Sequence, residues 1–155
     1  MTAGTPTIHA SAVLVGTKAV LIRGPAGSGK SRLAWDLVQA AGPSTKLGAL
    51  PFARLVADDR VHVEGCAGQL LVRPAPALAG LIEIHGLGIR RLAFEPVAAV
   101  ALVVDLAADD AARLPGNMAA TTVIAGVTLP RLAVAAGMAA LPLLLASLNT
   151  APASN

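Results

Sequence analysis

The sequence is poor in aromatic and charged residues. Its 155 residues include no tyrosine, one tryptophan and two phenylalanines, and charged residues make up 14% of the chain. Hydrophobic residues make up 55%, and this content excludes intrinsic disorder, which requires low hydrophobicity. A chain of this length and composition can bury one core. We therefore predict a single domain over residues 1–148, followed by a frayed tail over residues 149–155.

The shortage of aromatic residues also bears on nucleic acids. Proteins that bind single strands stack the bases on aromatic side chains, and proteins that bind duplexes carry clustered basic residues. This chain has a net charge of +3, but its 12 lysines and arginines are scattered and form no basic tract. We therefore expect no nucleic-acid partner.

Features of secreted and membrane proteins are also missing. The single cysteine, Cys66, cannot form an internal disulfide, and the first twenty residues do not resemble a secretory signal. The 17 residues from Leu132 to Leu148 are all uncharged, and Gly137 and Pro142 interrupt them. A membrane-spanning helix needs roughly 20 apolar residues. We predict a cytoplasmic protein with no membrane segment, in which this stretch forms a buried strand and a C-terminal helix.

Short apolar runs rich in β-branched residues account for most of the chain, and glycine or proline separates them. Such runs predict strands, here at Thr7–Val15, Ala19–Ile22, Arg54–Ala57, Val61–Glu64, Gln69–Val72, Leu81–Ile84, Val97–Leu106 and Thr121–Val134. From Lys30 the apolar residues adopt helical spacing instead. Gly42 and Pro43 follow this segment and predict its end.

A glycine-rich loop lies between the second predicted strand and this helix. It matches the phosphate-binding pattern G-x-x-x-x-G-K-[ST] without a mismatch, through Gly24, Pro25, Ala26, Gly27, Ser28, Gly29, Lys30 and Ser31. Glycines let backbone N–H groups converge on phosphates, and the helix dipole adds to the attraction. We expect ATP here, with Lys30 on the β and γ phosphates and the Ser31 hydroxyl on Mg²⁺. The alternative is a glycine-rich turn that only caps the helix.

Two adjacent carboxylates, Asp58 and Asp59, follow the apolar strand that ends at Ala57. Neighbouring side chains of a strand point to opposite faces, so both cannot meet a γ-phosphate in the same way if the strand stays regular. We expect one to perform chemistry and the other to bind metal or hold structure. An exposed turn is the alternative.

Two further polar residues lie within predicted strands. Glu83 interrupts an apolar run, where a buried carboxylate needs a partner or a metal, although strand alternation can also turn it to solvent. His9 lies early in the first strand and by itself indicates a packed or surface histidine.

The order of these motifs resembles the catalytic domain of HPr kinase/phosphorylase. The similarity runs from about Thr7 to Leu106 through His9-Ala10-Ser11, the phosphate loop, Val56–Val61 and Glu83–Ile89. It implies an α/β fold: a P-loop kinase domain with a mixed sheet, similar to the nucleotide-binding fold of phosphoenolpyruvate carboxykinase. The family commonly forms hexamers and uses ATP and Mg²⁺ to phosphorylate a serine of the phosphocarrier HPr. It often also removes that phosphate by phosphorolysis.

The resemblance assigns roles to individual residues. His9 corresponds to an active-site histidine and Lys30 to the lysine of the phosphate loop. Asp58 corresponds to the acid/base aspartate, and Ser31 and Glu83 correspond to the magnesium ligands. Asp59 is then the carboxylate left to bind metal.

Four departures from the family limit these expectations. The family's N-terminal domain is missing, which implies the short form of some α-proteobacteria, and Pro43–Phe52 resembles an insertion. His85 replaces the arginine that usually follows Glu-Ile. The Gly-Arg-Asn segment that the family links to phosphorolysis is not evident near the C-terminus, where Arg131 is the nearest basic residue. Kinase activity is therefore better supported than phosphorylase activity. Arg113 is the best match for a further active-site arginine.

Two other functions stay open at this point. A small-molecule P-loop kinase needs a lid and an acceptor-binding insertion, and only Pro43–Phe52 offers room for them. A nucleotide-binding regulator that retains the loop but has lost phosphoryl transfer fits His85 and the missing C-terminal motif. The apolar composition also predicts large buried interfaces, and hence a homo-oligomer.

Overall fold

The computed structural model describes residues 6–41, 50, 52–112 and 120–153. Its strands are β1 (Thr7–His9), β2 (Ser11–Val15), β3 (Lys18–Arg23), β4 (Ala53–Ala57), β5 (Arg60–Cys66), β6 (Gln69–Pro74), β7 (Leu81–Ile84), β8 (Gly88–Arg91), β9 (Ala98–Asp105), β10 (Thr121–Ile124) and β11 (Val127–Ala133). Its α-helices are α1 (Lys30–Gln39) and α2 (Ala140–Asn149), and a 3₁₀ turn covers Pro76–Leu78. These elements confirm the α/β class.

Nine strands of the described chain form one mixed sheet. Their order is β1-β5-β6-β9-β3-β2-β4, and β11 also pairs with β9 and with β10. Strand β9 is parallel to β3 and to β11, whereas the other neighbours are antiparallel. Strands β7 and β8 form a separate hairpin. The predicted mixed sheet is confirmed, and the carboxyl ends of β3, β9 and β11 share one edge.

Both faces of the central strand β3 are buried, which explains its continuous apolar sequence. Val20 and Ile22 belong to the apolar cluster that includes both helices, whereas Ala19 and Leu21 belong to the cluster on the other face. Strand alternation thus divides one run between two cores. Helix α1 covers the first face with Leu33, Ala34 and Leu37.

The structure differs from the sequence prediction at two boundaries. The run Thr7–Val15 divides at Ala10, because β1 pairs with β5 while β2 pairs with β3 and β4. Helix α1 ends at Gln39, before the predicted stop at Gly42 and Pro43, which lie outside the described residues. Ala40 keeps helical dihedral angles, and its carbonyl oxygen accepts from Leu50 N over 3.2 Å instead of continuing the helix.

The C-terminal region follows its prediction. The uncharged stretch forms the end of β11 and then helix α2, whose Leu144 is fully buried. Among the described residues, no helix combines the length and the hydrophobicity that a membrane span would require.

Charged side chains join the parallel strands at their carboxyl ends. Arg23 of β3 donates to both oxygens of Asp105 of β9, over 2.8 and 2.9 Å, and Arg131 of β11 donates to the same carboxylate. Arg131 also donates twice to Asp110, over 2.8 and 2.9 Å. Burial raises the pKa of Asp105, but the hydrogen bonds and charges of Arg23 and Arg131 outweigh it and hold the pKa below its ordinary value of 3.8. The network therefore contributes stability that depends on pH.

We expect acid to weaken this network. Because the pKa of Asp105 is lower in the folded chain, its contribution to the free energy of unfolding is present above the ordinary carboxyl pKa and is lost as the pH falls through the lowered value. Urea denaturation followed by circular dichroism between about pH 6 and pH 2 measures this loss. Asp105→Asn lowers stability near neutral pH and reduces the dependence on pH, whereas exposed Asp109→Asn changes neither. An unchanged pH dependence in Asp105→Asn would contradict the assignment.

Candidate active site

The glycine-rich loop lies between β3 and α1 and leaves a concave surface open. A Cβ atom on Gly24 would lie 2.5 Å from Ser28 Oγ and 3.1 Å from Leu106 Cβ, so a larger residue does not fit there. At Gly27 and Gly29, φ is +79° and +99°, and a Cβ atom would meet nothing within 4 Å. Glycine at these two positions allows left-handed backbone and keeps the surface clear for a ligand.

Several polar groups of the loop suit a phosphate. Ser28 Oγ is buried and has no hydrogen-bond partner among the described residues. Helix α1 begins with neither a side-chain cap nor an acidic residue in its first turn, so its first N–H groups lack side-chain acceptors. Lys30 Nζ donates to the carbonyl oxygens of Gly24 and Pro25, over 2.8 and 3.2 Å. Donors and positive charge that converge in this way form an anion site.

Asp58 lies at the centre of a buried hydrogen-bond group. Only 4% of the residue is exposed. Its carboxylate accepts from Ser11 Oγ over 2.6 Å, from Ser31 Oγ over 2.8 Å to each oxygen, and from Glu83 N over 3.3 Å. The donors come from β2, α1 and β7. This carboxylate therefore connects the helix end of the phosphate loop to two strands.

Ser11 is a site residue to which the sequence analysis gave no role. It is fully buried in β2, between apolar neighbours. A buried hydroxyl in an apolar strand normally has a hydrogen-bond partner, and this was the one available signal. The sequence could not identify Asp58 as that partner, because 47 residues separate the two.

Asp59 has the opposite environment. Its φ of 72° is left-handed, which ends the regular strand and turns the side chain outward. The side chain is 70% exposed, and its Oδ1 lies 3.9 Å from Nδ1 of His9, which is 64% exposed. The two aspartates thus point in different directions, but the left-handed backbone of Asp59 separates them rather than strand alternation, since β4 ends at Ala57. Asp58 contacts Ser31, and Asp59 is the accessible carboxylate.

The other candidate site residues from the sequence, Glu83, Arg113 and Arg131, do not all lie at the phosphate loop. The side chain of Glu83 is exposed, which matches the solvent-facing alternative, while its backbone N–H contacts Asp58. Arg113 lies outside the described residues. Arg131 is occupied by Asp105 and Asp110, and hydrogen bonds to Asp110 and then Asp105 raise its pKa. It is therefore poorly placed to bind free phosphate.

The donor set at Ser31 suits magnesium. Mg²⁺ prefers oxygen ligands and commonly takes one or two carboxylates together with substrate phosphates and water. Ser31 Oγ and the Asp58 carboxylate lie in contact, and the Glu83 backbone adjoins them. No group of three or more His, Cys, Asp or Glu side chains in the described ranges is arranged around a metal position. The oxygen atoms of Ser31 and Asp58 suit an ion that also takes phosphate oxygens as ligands.

Known proteins are similar to this chain in sequence and in fold. Residues 2–137 match the family model described as HPr Serine kinase C-terminal domain. HPr kinase/phosphorylase from Clostridium beijerinckii is 34% identical over 82 residues, which are 53% of this chain and 24% of that protein. The Exiguobacterium protein of the same name is 44% identical over 71 residues, which are 45% of this chain and 19% of that protein. The chain thus spans about a quarter or less of these relatives.

A solved structure extends the similarity to nearly the whole chain. The Hpr(Ser) kinase/phosphatase from Coxiella burnetii matches with a TM-score of 0.70 and 26% sequence identity, and the match covers 92% of this chain and 93% of that chain. The resemblance seen in the motifs and the P-loop kinase fold are both confirmed. Because the family model matches most of its length, the chain belongs to the HPr serine kinase C-terminal domain family.

Proposed function

We propose that this chain is a kinase that uses ATP and Mg²⁺ to phosphorylate a serine of an HPr-like phosphocarrier. The observation that carries the proposal is the Ser31–Asp58 contact at the end of the phosphate loop, with His9 and Asp59 on an exposed surface beside it. Phosphoryl transfer needs these three parts: a phosphate cradle, oxygen ligands for a metal, and an accessible base. We infer HPr as the phosphate acceptor from the names of the relatives, which are HPr kinases.

The loop binds the triphosphate through its own donors. The Ser28 hydroxyl has no hydrogen-bond partner among the described residues, and a Cβ atom at Gly27 or Gly29 would meet nothing within 4 Å, so a phosphate can approach the backbone there. Lys30 exchanges the neutral carbonyls of Gly24 and Pro25 for charged phosphate oxygens, and charge-assisted hydrogen bonds of this kind are the stronger ones. The loop thus orients the terminal phosphate next to Ser31.

Ser31 and Glu83, the ligands that the resemblance assigns, would hold the metal, and Asp58 would orient the Ser31 hydroxyl. Bound Mg²⁺ neutralises charge on the phosphates during transfer. Asp58 accepts a hydrogen bond from the Ser31 hydroxyl, so the lone pairs of Ser31 point away from the carboxylate. Ser11 keeps Asp58 in this orientation. These contacts favour Asp58 as a metal-side residue, in place of the acid/base role expected from the resemblance.

Asp59 is the better candidate for the general base. Its exposed carboxylate can reach a serine of a second protein, and His9 lies beside it. As the serine oxygen forms its bond to the γ-phosphorus, the serine proton passes to Asp59. The bond from the γ-phosphorus to the bridging oxygen breaks, and its electrons leave with ADP. A positioned carboxylate of this kind is an ordinary general base.

The proposal covers transfer from ATP and leaves phosphorolysis aside, because Arg131 is already bound to two carboxylates. A homo-oligomer, hexameric by resemblance, a role for Arg113 and a cytoplasmic location remain proposals drawn from the family.

The first test is transfer itself. Purified chain is incubated with labelled ATP, Mg²⁺ and the HPr-like carriers of its host, and mass spectrometry locates the modified residue. We expect one phosphoserine, and we expect Lys30→Ala to abolish it. ATP binding without labelled carrier would instead favour the nucleotide-binding regulator, and a labelled metabolite from an acceptor panel would favour the small-molecule kinase.

The second test separates the two aspartates. We expect Asp59→Asn to lower kcat by about 10²–10⁴-fold while ATP affinity stays nearly constant. We expect Asp58→Asn to raise the Mg²⁺ concentration needed for half-maximal rate, because it disturbs Ser31. Exposed Asp109→Asn is the control. A parental kcat in Asp59→Asn, with turnover lost only in Asp58→Asn, would restore the acid/base role to Asp58.

The third test concerns Ser11. Ser11→Ala removes one of the three groups that donate hydrogen bonds to the buried Asp58 carboxylate, which costs about 1–3 kcal/mol of unfolding free energy. Urea denaturation measures this loss, and kinetics should show a raised Mg²⁺ requirement. Ser11→Thr keeps the hydroxyl and should recover most of both, and Ser147→Ala on the exposed face of α2 is the control. Equal effects of alanine and threonine would show that size rather than the hydroxyl matters.

A further inference from the structure

A cavity of about 520 Å³ lies directly beside the phosphate loop. One wall is formed by Gly27, Ser28, Gly29 and the first turns of α1, and the opposite wall is formed by residues 134–142. Leu106 and Ala107 also line it. We propose that this cavity binds the nucleobase of the nucleotide whose phosphates the loop holds. This inference rests on the proposed function and extends it by giving the position of the nucleobase.

The topology places the cavity where a nucleotide has to extend. Strands β3, β9 and β11 are parallel, so the loops that follow them meet at one sheet edge. Open α/β sheets bind ligands in the crevice outside the carboxyl ends of such strands. The phosphate loop follows β3, Leu106 and Ala107 follow β9, and Val134 begins the segment after β11. A ligand held by its phosphates at Gly27 to Gly29 therefore has this crevice beside it.

A second cavity is less suitable. It has a volume of about 430 Å³ and lies between Trp35 and the β7–β8 hairpin, with Arg90 and Arg91 in its lining. None of its lining residues belongs to the phosphate loop, whereas three residues of the loop line the first cavity.

The lining suits a flat and uncharged heterocycle. Its side chains are mostly those of alanine, leucine, valine, methionine and proline, and the volume lies within the range of about 300–1,000 Å³ usual for small-molecule sites. The charged exceptions, Arg32 and Asp36, lie 3.3 Å apart as an ion pair on the exposed side of α1. Apolar walls hold an aromatic ring by dispersion and by exclusion of water.

The wall after β11 is held in place by backbone hydrogen bonds. Val134 N donates to Asp105 O over 2.8 Å, and Ala108 N donates to Val134 O over 2.9 Å. Met138 N donates to Ala135 O over 3.1 Å, which closes a turn. The cavity is therefore preformed, and its shape derives from the same β9–β11 pairing that supports the phosphate loop.

This lining also predicts low selectivity between purines. Strong discrimination needs backbone or side-chain groups that hydrogen-bond the exocyclic groups of the base, and apolar side chains discriminate far less. The described lining offers Ser28, Arg32 and Asp36 as polar side chains, and the last two are paired with each other. We expect GTP to compete with ATP within about tenfold in concentration.

Photolabelling with 8-azido-ATP tests the location of the base. The sequence after Arg131 contains no lysine or arginine, so trypsin releases residues 132–155 as one peptide. We expect light-dependent label in that peptide, displaced by excess ATP and, within about tenfold, by GTP. Displaceable label confined to the tryptic peptide of residues 61–90, whose last residues line the other cavity, would overturn the proposal. A preference for ATP over GTP above about a hundredfold would overturn it as well.

An affinity comparison provides an independent test. Ala136 is exposed and lines the cavity, so Ala136→Leu should narrow it without disturbing the core. Calorimetry should show ATP binding about fivefold weaker or more, while tripolyphosphate, which has no base, binds as before. The matched control is Ala146→Leu on the exposed face of α2.

Two other outcomes are distinguishable. If ATP and tripolyphosphate bind to the parent but Ala136→Leu changes both equally or neither, the base site is wrong and the proposed function stands. If neither ligand binds to the parent, the proposed function fails and the base site fails with it.

Discussion

The buried carboxylate of Asp58 is the constraint on which the site depends. A carboxylate that is only 4% exposed is stable when donors satisfy its oxygens, and here they come from Ser11, Ser31 and the Glu83 backbone. Because these donors belong to three elements, the hydrogen bonds set the position of α1, and with it the phosphate loop, against β2 and β7. The same geometry separates the two adjacent aspartates into one buried and one accessible group.

The parallel centre of the sheet brings the rest of the site to one edge. Strands β3, β9 and β11 end side by side, so the phosphate loop and the two walls of the neighbouring cavity follow from strand pairing. Arg23 and Arg131 both lie at this edge, and both donate hydrogen bonds to the carboxylate of Asp105. Arg131 therefore supports the architecture that holds the loop, and this use of its guanidinium explains why it makes a poor phosphate ligand.

Local signals were enough to predict much of the fold and part of the site. The phosphate loop is a contiguous pattern whose glycines and helix start depend on immediate neighbours, and the structure forms the loop where the pattern lies. Strand alternation was the expected reason for Asp58 and Asp59 to face different ways, but β4 ends at Ala57 and the left-handed backbone of Asp59 separates them instead. Alternation also could not indicate which one is buried, because that depends on Ser11 and Ser31, which lie 47 and 27 residues away. The resemblance likewise named the motif but not the surroundings of each carboxylate.

By itself, the sequence determined the α/β class, the phosphate loop and the family, since each is written in contiguous residues. Only the tertiary structure decided which aspartate contacts Ser31, that Ser11 belongs to the site and that Arg131 is bound to two carboxylates. It also formed the cavity that we assign to the nucleobase. The physical reason is that burial and hydrogen-bond partnership join residues distant in the chain, and packing sets those distances.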